Sequence, residues 1–275
     1  MSPDPASKTS LPIARTSSRP MNTRVFTPGQ PLKVGAAIIG AQKSATTSFA
    51  HALSLHPGIC LAQGKESHLF DRRDVQQQGP SDADLTAAFP NRKSGQILLD
   101  ATPSYQYLPG CIEALLRHEP EVKLISILRS PAARAVSHHA HERRLGFENR
   151  CLTLALASER FRLRCDTDPL AENSAHRHWS YLDRGRYESQ IRRILDLTPH
   201  LLLVDFDLLV RSTSASMERV FDFLGLEAVS IPTLPRLNIG SGRRRPFGTF
   251  VAQVLANSSS KSTERLLSEI ERGSM

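Results

Sequence analysis

Aromatic residues are scarce in this sequence: Phe, Trp and Tyr make up 6% of its 275 residues, and Trp179 is the single tryptophan. Proteins that bind single-stranded nucleic acid without sequence preference stack the bases on aromatic side chains. The scarcity argues against such a protein, and no known nucleic-acid-binding motif is present. The formal net charge of +8 favours an anionic partner or simply solubility. A basic nucleic-acid-binding module stays open as an alternative, although we expect no nucleic acid among the partners.

Cysteine is also sparse, and its spacing excludes the common zinc and haem motifs. The four cysteines form no CxxC pair; they are Cys60, Cys111, Cys151 and Cys165. We expect buried, reduced thiols, as in a cytoplasmic protein, because disulfides persist mainly in oxidising compartments. We also expect no metal site.

Long apolar runs are missing as well. None approaches the ~20 residues that a membrane-spanning helix needs, so we expect no transmembrane segment. Residues 1–31 have Asp4 as their single acidic residue, and they contain six prolines and many Ser and Thr residues. This composition cannot bury enough apolar surface to fold. We therefore predict a disordered leader, with an organelle transit peptide as the alternative, and a single domain over residues 32–275.

Apolar runs of strand length alternate with segments of helical periodicity. Strands are predicted over residues 34–40, 96–100, 122–128 and 201–206. Helices are predicted over residues 46–56, 131–146, 188–197 and 214–224, and in the tail from Ser258. The segments 72–91 and 146–174 are interpreted as loops. The alternation predicts an α/β, P-loop-like three-layer fold, with a central parallel sheet flanked by helices and ligands at the carboxyl ends of the strands.

The segment from Gly40 to Ser48 joins the first predicted strand to the first helix. A helix N-terminus offers unpaired backbone N–H groups and a partial positive charge, which suit an anion. The segment adds a lysine and several hydroxyl side chains, namely Lys43, Ser44, Thr46, Thr47 and Ser48. It therefore predicts a site for a phosphate or sulfate ester.

This loop lacks the ending of a Walker A sequence, in which Gly-Lys is followed by a Ser or Thr that holds magnesium. Lys43 lies three residues after Gly40, and Ala45 precedes Thr46. Lysine and hydroxyls without a metal position suit sulfuryl transfer better than transfer of a γ-phosphoryl group. A P-loop nucleotide kinase or NTPase stays open as the other alternative, because Asp100 follows an apolar strand as a magnesium ligand would.

A second strand–turn–helix segment carries another possible phosphate site. Arg129 ends the strand, Pro131 opens the helix, and Ser137 lies about two turns inside it. The planar guanidinium of arginine binds oxyanions with two parallel hydrogen bonds. Arg129 and Ser137 can therefore hold one phosphate from two sides.

The stretch IIGAQKSATTSFAHALSLHPGI resembles the 5′-phosphosulfate loop of PAPS-dependent sulfotransferases, above all their carbohydrate-type and bacterial, heparan sulfate sulfotransferase-like branch. Ala45 stands where that family usually has a glycine. The pattern from Arg129 to Ser137 resembles the family's Arg-x-Pro-x-x-Arg-x-x-Ser. KESHLFD, DATPSYQYLP and RGRYESQIRRIL resemble further family segments, so the resemblance covers about residues 34–246.

The resemblance implies an enzyme that moves a sulfuryl group from PAPS to a hydroxyl or amine and releases adenosine 3′,5′-bisphosphate. It places the cosubstrate on Gly40, Gln42, Lys43, Ser44, Ala45, Thr46, Thr47 and Ser48. It gives the 3′-phosphate to Arg129 and Ser137, and it implies that Arg243 or Arg244, beside Arg245, closes over the nucleotide. Arg134 is expected to be structural.

The resemblance also implies the catalytic residues. Glu66 is expected to be the general base, with His68 as the alternative base, and Lys43 is expected to stabilise the leaving group. The expected acceptor-binding residues are Lys65, Glu66, Thr102 and Tyr105. The basic run His138, His139, His141, Arg143 and Arg144 is interpreted as a solvated helix face. The acceptor stays open, from a sugar to a small natural product.

Overall fold

Five short apolar segments form one parallel sheet in the computed structural model, which describes residues 23–231 and 246–272. The strands are β1 (Ala36–Gly40), β2 (Ile59–Leu61), β3 (Ile97–Asp100), β4 (Lys123–Leu128) and β5 (Leu201–Asp205). Their order across the sheet is β2-β3-β1-β4-β5, and every neighbouring pair is parallel. β1 is therefore the central strand, and its carboxyl end lies between those of β3 and β4.

Helices connect and cover the strands. They are α1 (Thr46–Leu53), α2 (Arg73–Gln78), α3 (Asp82–Ala88), α4 (Cys111–His118), α5 (Pro131–Leu145), α6 (Leu152–Arg164), α7 (Ala175–His178), α8 (Tyr187–Leu197), α9 (Phe206–Arg211), α10 (Thr213–Leu224), α11 (Pro246–Leu255) and α12 (Asn257–Arg272). A 3-10 helix over Asp183–Gly185 precedes α8.

Successive residues of the strands point to opposite faces of the sheet, and both faces are buried. Ala36 and Ile38 of β1 pack in one apolar cluster with residues of α1 and α10. Ala37 and Ile39 pack in the other, with residues of α4 and α8. Parallel sheets need such cover on both sides. The α/β, three-layer fold with a central parallel sheet is confirmed.

Strong local signals explain why most predicted elements are found. α5 has Pro131 in its first turn and Gly146 in the left-handed conformation after its last residue, the arrangement that the sequence predicted. The predicted strands and helices agree with the observed ones within a few residues, and the tail is helical through Arg272.

Two segments interpreted as loops contain helices, and that interpretation is wrong. Residues 72–91 hold α2 and α3, each of which buries one side chain, so neither shows a helical period. Residues 146–174 hold α6, whose apolar pattern is obscured because Leu154 and Phe161 are exposed.

The expectation for the cysteines is correct for two of the four. All four are free thiols, but Cys60 and Cys111 are buried whereas Cys151 and Cys165 are exposed. The exposed pair flanks α6, directly before its first and after its last residue, and both ends of this helix lie at the surface.

The predicted leader overlaps a stretch that contacts the domain. The backbone N–H of Phe26 donates to Gln96 O at 2.7 Å, and Gly95 N–H donates to Phe26 O at 2.8 Å. Thr23 Oγ1 donates to Leu224 O at 2.7 Å. The boundary at residue 31 therefore falls within residues that already pack on the domain, and a disordered leader stays a prediction for residues 1–22, outside the described ranges.

Candidate active site

The loop after β1 starts where two chain segments approach closely. A methyl group at Gly40 would lie 2.1 Å from Oε1 of Gln106. Gln106 is held there because its backbone N–H donates to Ile39 O at 2.9 Å and its side-chain Oε1 accepts from Ser126 Oγ at 2.5 Å. Gly40 is therefore required by packing as the strand enters the loop.

The loop backbone is shaped for a ligand at the N-terminus of α1. Lys43 and Ala45 adopt positive φ angles of 71° and 59°. Ala45 is the N-cap of α1, and no side chain caps the helix there. A helix N-terminus without a side-chain cap suits an anion. Ala45 takes the left-handed conformation that glycine adopts more easily, at a cost of about 1 kcal/mol.

The loop side chains differ in exposure. Ser44, Thr46 and Ser48 are buried. Gln42, Lys43 and Thr47 are half-buried. Burial lowers the pKa of Lys43, the charge of Arg144 lowers it further, and Glu142 and Glu66 oppose the shift. Lys43, Arg144 and Glu66 therefore share one electrostatic neighbourhood.

Arg129 lies directly beside this loop, after the end of β4. Its Nη1 donates to Lys43 O at 2.9 Å, and its guanidinium lies 4.7 Å from the centre of the Phe206 ring. Burial lowers its pKa. Ser137, two turns into α5, is half-buried. Arg134 is fully buried and donates to the carbonyl oxygens of Ser180 and Tyr181.

The end of β3 anchors the segment that carries Glu66. Asp100 is fully buried and accepts from Ser67 Oγ at 2.6 Å, Thr102 Oγ1 at 2.8 Å and Tyr105 Oη at 2.8 Å. Ser67 N–H adds a fourth bond at 3.2 Å. Thr102 and Tyr105 are fully buried with their hydroxyls on Asp100, so they hold the Glu66 segment.

Glu66 lies between two cationic groups. Its Oε1 accepts from Lys65 Nζ, and its Oε2 lies 3.4 Å from His68 Nε2. Burial opposes ionisation of this carboxyl, but His68 and Lys65 outweigh it and hold the pKa of Glu66 below its ordinary value. Glu66 is therefore an ionised carboxylate at neutral pH.

His68 bridges two carboxylates. Its Nδ1 lies 2.9 Å from Asp71 Oδ2, opposite the contact of Nε2 with Glu66. Hydrogen bonds to Asp71 and then Glu66 raise the pKa of His68 to about 10, and burial opposes this only partly. The imidazole therefore carries two protons at neutral pH and has no free lone pair to accept another.

Asp71 and its own partner Arg177 are residues that the sequence analysis missed. Arg177 Nη1 donates to Asp71 Oδ2 at 3.0 Å, and Ser104 Oγ donates to the same oxygen at 3.0 Å. Asp71 is the last residue of the KESHLFD stretch, and its place three residues after His68 was a sequence signal for this pair. Arg177 is 106 residues away, and no sequence pattern joins the two.

These two segments hold the strained backbone positions of the described ranges. Within the described ranges, the non-glycine residues with positive φ are Lys43, Ala45, Lys65 and His68. Such conformations cost about 1–3 kcal/mol each and persist where the surrounding structure fixes them. Sequence reasoning gave no sign of them.

Comparison with known proteins agrees with this geometry. The chain matches the sulfotransferase domain family over residues 36–233. It belongs to the sulfotransferase family. The predicted sulfotransferase family is thereby confirmed, and so is the expectation of an enzyme.

Curated relatives of this sulfotransferase include two heparan sulfate glucosamine 3-O-sulfotransferases. The mouse type 6 protein is 30% identical over 89% of this chain and 73% of its own length. The human type 6 protein is 32% identical over 74% of this chain and 57% of its own length. The chain thus spans between about half and three quarters of the length of these relatives.

Among solved structures, a sulfotransferase from Alicyclobacillus acidocaldarius superposes with a TM-score of 0.69. It is 23% identical, and the match covers 87% of this chain and 96% of that one. This likeness supports the fold.

The described helices were also compared with the length and hydropathy that a membrane span requires, and none of them meets both.

The basic run on α5 of this sulfotransferase is not a solvated face throughout, and that interpretation is wrong for two residues. His138 is fully buried and His139 nearly so. Burial lowers the pKa of His138 well below its ordinary value, so its ring is neutral. Arg143 and Arg144 are exposed as expected. One side of the helix packs with residues of α6 and α11, and His138 lies against the ring of Tyr181, which the residue types alone do not reveal.

The predicted basic loop of Arg243, Arg244 and Arg245 lies outside the described residues. Among the residues that are described, no group of three or more potential ligands could hold a metal ion. The absence of a metal from the reaction stays a prediction.

Proposed function

We propose that this sulfotransferase transfers the sulfuryl group of PAPS to a hydroxyl or amine of an acceptor and releases adenosine 3′,5′-bisphosphate. The contact between Arg129 and Lys43 carries the proposal, because it joins the two predicted phosphate-binding segments in one place. PAPS has phosphate groups on both the 3′ and the 5′ oxygen of its ribose, so it needs two such segments. A nucleoside triphosphate does not.

The residues present fit this cosubstrate. The uncapped N-terminus of α1, with Lys43 and the hydroxyl side chains beside it, would hold the 5′-phosphosulfate. Arg129 and Ser137 would hold the 3′-phosphate. The full set on this side is Gly40, Gln42, Lys43, Ser44, Ala45, Thr46, Thr47, Ser48, Arg129 and Ser137, with Arg243 and Arg244 as further candidates.

Glu66 is the proposed general base. It is an ionised carboxylate, 34% exposed, in a backbone segment that is fixed by Asp100. In that state it can take the proton of an acceptor hydroxyl as the bond to sulfur forms. His68, held as a cation between two carboxylates, orients Glu66 instead of acting as the base. Lys65, paired with Glu66, would help to orient the acceptor.

Lys43 is the proposed stabiliser of the leaving group. It lies in the loop before the N-terminus of α1, where its backbone has a positive φ. Its ammonium interacts electrostatically with the carboxylate of Glu66. A cation aimed at the oxygen on which charge develops lowers the barrier to transfer. The lowered pKa of Lys43 reflects burial, and binding of an anion there would raise it again.

The acceptor is proposed to be a carbohydrate or a small natural product with a hydroxyl or amine. Support comes from the curated relatives, which are named for action on heparan sulfate glucosamine. A cytoplasmic location stays a prediction, supported by four free thiols.

Ligand binding followed by transfer tests the proposal. Thermal denaturation should show larger stabilisation by adenosine 3′,5′-bisphosphate than by ATP with magnesium, and labelled PAPS should then transfer label to members of a carbohydrate and small-alcohol panel. Stronger stabilisation by ATP with magnesium would favour a kinase or NTPase. Steeply salt-dependent, tight binding of DNA or RNA would favour the nucleic-acid-binding alternative.

A further inference from the structure

A buried arginine links the phosphate loop to the interior of the molecule. Arg184, in the 3-10 helix, is 2% exposed. Its Nη1 donates to Oε1 of Gln42 at 2.9 Å, although 142 residues separate the two along the chain. Its Nε donates to Ser180 Oγ at 3.0 Å, and its guanidinium lies 4.7 Å from the centre of the Tyr107 ring.

The same guanidinium holds the short helix α7. Nη2 of Arg184 donates to His176 O at 2.6 Å and, more weakly, to Arg177 O at 3.4 Å. The Arg177 side chain in turn donates to Asp71, through Oδ2 at 3.0 Å and the carbonyl oxygen at 3.1 Å. Asp71 fixes His68, and His68 faces Glu66. A continuous set of contacts therefore runs from Gln42 to Glu66.

Arg184 is an unusual residue to bury for packing alone. In the described ranges no carboxylate lies within ion-pairing distance of it, so its charge faces carbonyl, amide and hydroxyl groups and the Tyr107 ring. Burial lowers its pKa to about 10, which leaves it charged at neutral pH. Its donors point in fixed directions from a planar fork, which suits holding several partners in a set arrangement.

We propose that Arg184 is a positioning residue that fixes the phosphate loop and the Glu66 segment relative to each other, through Gln42 on one side and α7 with Arg177 and Asp71 on the other. The proposal rests on the proposed function for its kinetic consequence. Its structural consequence, the coupled order of the two segments, is independent of that function.

Hydrogen–deuterium exchange measures the structural consequence directly. We expect Arg184→Met to raise exchange in peptides covering residues 41–48 and in peptides covering 65–71. Arg134→Met is the matched control, because Arg134 is also a buried arginine that contacts Ser180 and Tyr181, but it contacts neither Gln42 nor Asp71. Exchange in the two segments that is unchanged in Arg184→Met, or raised equally by the control, would overturn the proposal.

Milder variants keep the test decisive if Arg184→Met does not fold. Arg184→Lys keeps the charge, but it puts one nitrogen atom in place of the three that bond to Ser180, Gln42 and His176 O. Gln42→Leu removes the contact from the loop side. We expect each to raise exchange in residues 65–71, and their effects in the double variant to be smaller than additive, because both break one connection. Strictly additive effects would contradict a shared connection.

Kinetics separate a positioning role from a merely structural one. With active sites counted by binding of adenosine 3′,5′-bisphosphate, we expect Arg184→Lys to lower kcat and raise KM for PAPS, with kcat/KM reduced roughly tenfold. A structural role would reduce only the number of folded sites and leave kcat per site unchanged. If the wild-type protein neither binds the bisphosphate nor uses PAPS, the proposed function fails, and the exchange experiment still decides whether Arg184 couples the two segments.

Discussion

Arg129 donates a hydrogen bond from Nη1 to the carbonyl oxygen of Lys43 at 2.9 Å, across 86 residues of sequence. The bond brings the end of β4 against the loop that follows β1, and these two strands are neighbours in the sheet. Each residue belongs to a segment that resembles a phosphate-binding motif. Their contact brings the two segments together, as one anion site built from both would require.

Replacement of Arg129 should weaken nucleotide binding. We expect Arg129→Ala to reduce the binding free energy of adenosine 3′,5′-bisphosphate by about 1.5–3 kcal/mol, the range for a lost hydrogen bond to a charged group. Isothermal titration calorimetry measures it. Arg129→Lys, which keeps the charge but loses the planar fork, should fall between wild type and Arg129→Ala. Unchanged affinity in the alanine variant would remove Arg129 from the site.

Replacement of Glu66 should stop transfer without affecting the cosubstrate. We expect Glu66→Gln to lower kcat by about 10²–10⁴-fold, the usual contribution of a general base, while bisphosphate affinity stays at the wild-type value. His68→Gln is the comparison variant. It should keep measurable turnover, because His68 is proposed to orient Glu66 and not to take the proton. If His68→Gln abolishes transfer and Glu66→Gln does not, the two roles are reversed.

The pH profile of transfer should separate the two candidate bases. The pKa of Glu66 is held below its ordinary value by His68 and Lys65 against the effect of burial. As a base it is active when ionised, so on the acidic side kcat/KM should fall only as the pH drops through that lowered pKa, with no change near pH 6.5. The pKa of His68 is raised to about 10, and that of Lys43 is lowered from its ordinary value. On the alkaline side we therefore expect a separate loss, as Lys43 and His68 give up their protons. An acidic limb centred near pH 6.5 would instead indicate a free histidine base.

Glu142 should stabilise the protein in a pH-dependent way. Its carboxylate is 3% exposed and lies 2.9 Å from His178 Nδ1 and 3.3 Å from His138 Nε2. Burial alone would raise the pKa of Glu142, but these imidazoles outweigh it and lower the pKa to about 2. A carboxyl with a lowered pKa contributes stability above its ordinary pKa of 4.5, and this contribution is lost as the pH falls towards about 2.

Urea unfolding across pH tests this contribution. We expect Glu142→Gln to reduce the free energy of unfolding by roughly 2–4 kcal/mol at pH 7, with a difference that shrinks below pH 4.5. Asp196→Asn, at an exposed position of α8, is the control and should change stability by less than about 0.5 kcal/mol. A difference for Glu142→Gln that is the same at every pH would contradict the pKa shift as its cause.

Much of the fold could be predicted because its signals are local. The buried strands are continuous apolar runs, and α5 carries its start and stop signals in Pro131 and Gly146. α2, α3 and α6 were missed because short or partly exposed helices lack a clear apolar period. The burial of His138 could not be predicted, because a run of basic residues on a helix usually indicates a solvent-exposed face, and only the neighbouring elements show which side is covered.

By itself, the sequence determined the strand–loop–helix form of the segment after β1, the order of the two segments that resemble phosphate-binding motifs, and the family to which the chain belongs. These follow from residue types within a few positions of one another. Only the tertiary structure decided that the hydroxyls of Thr102 and Tyr105 bond to Asp100 and that His68 lies between the carboxylates of Glu66 and Asp71. It also decided that Arg177 contacts Asp71 and that Arg184 contacts Gln42. These depend on burial and on contacts between residues far apart along the chain, which no local pattern encodes.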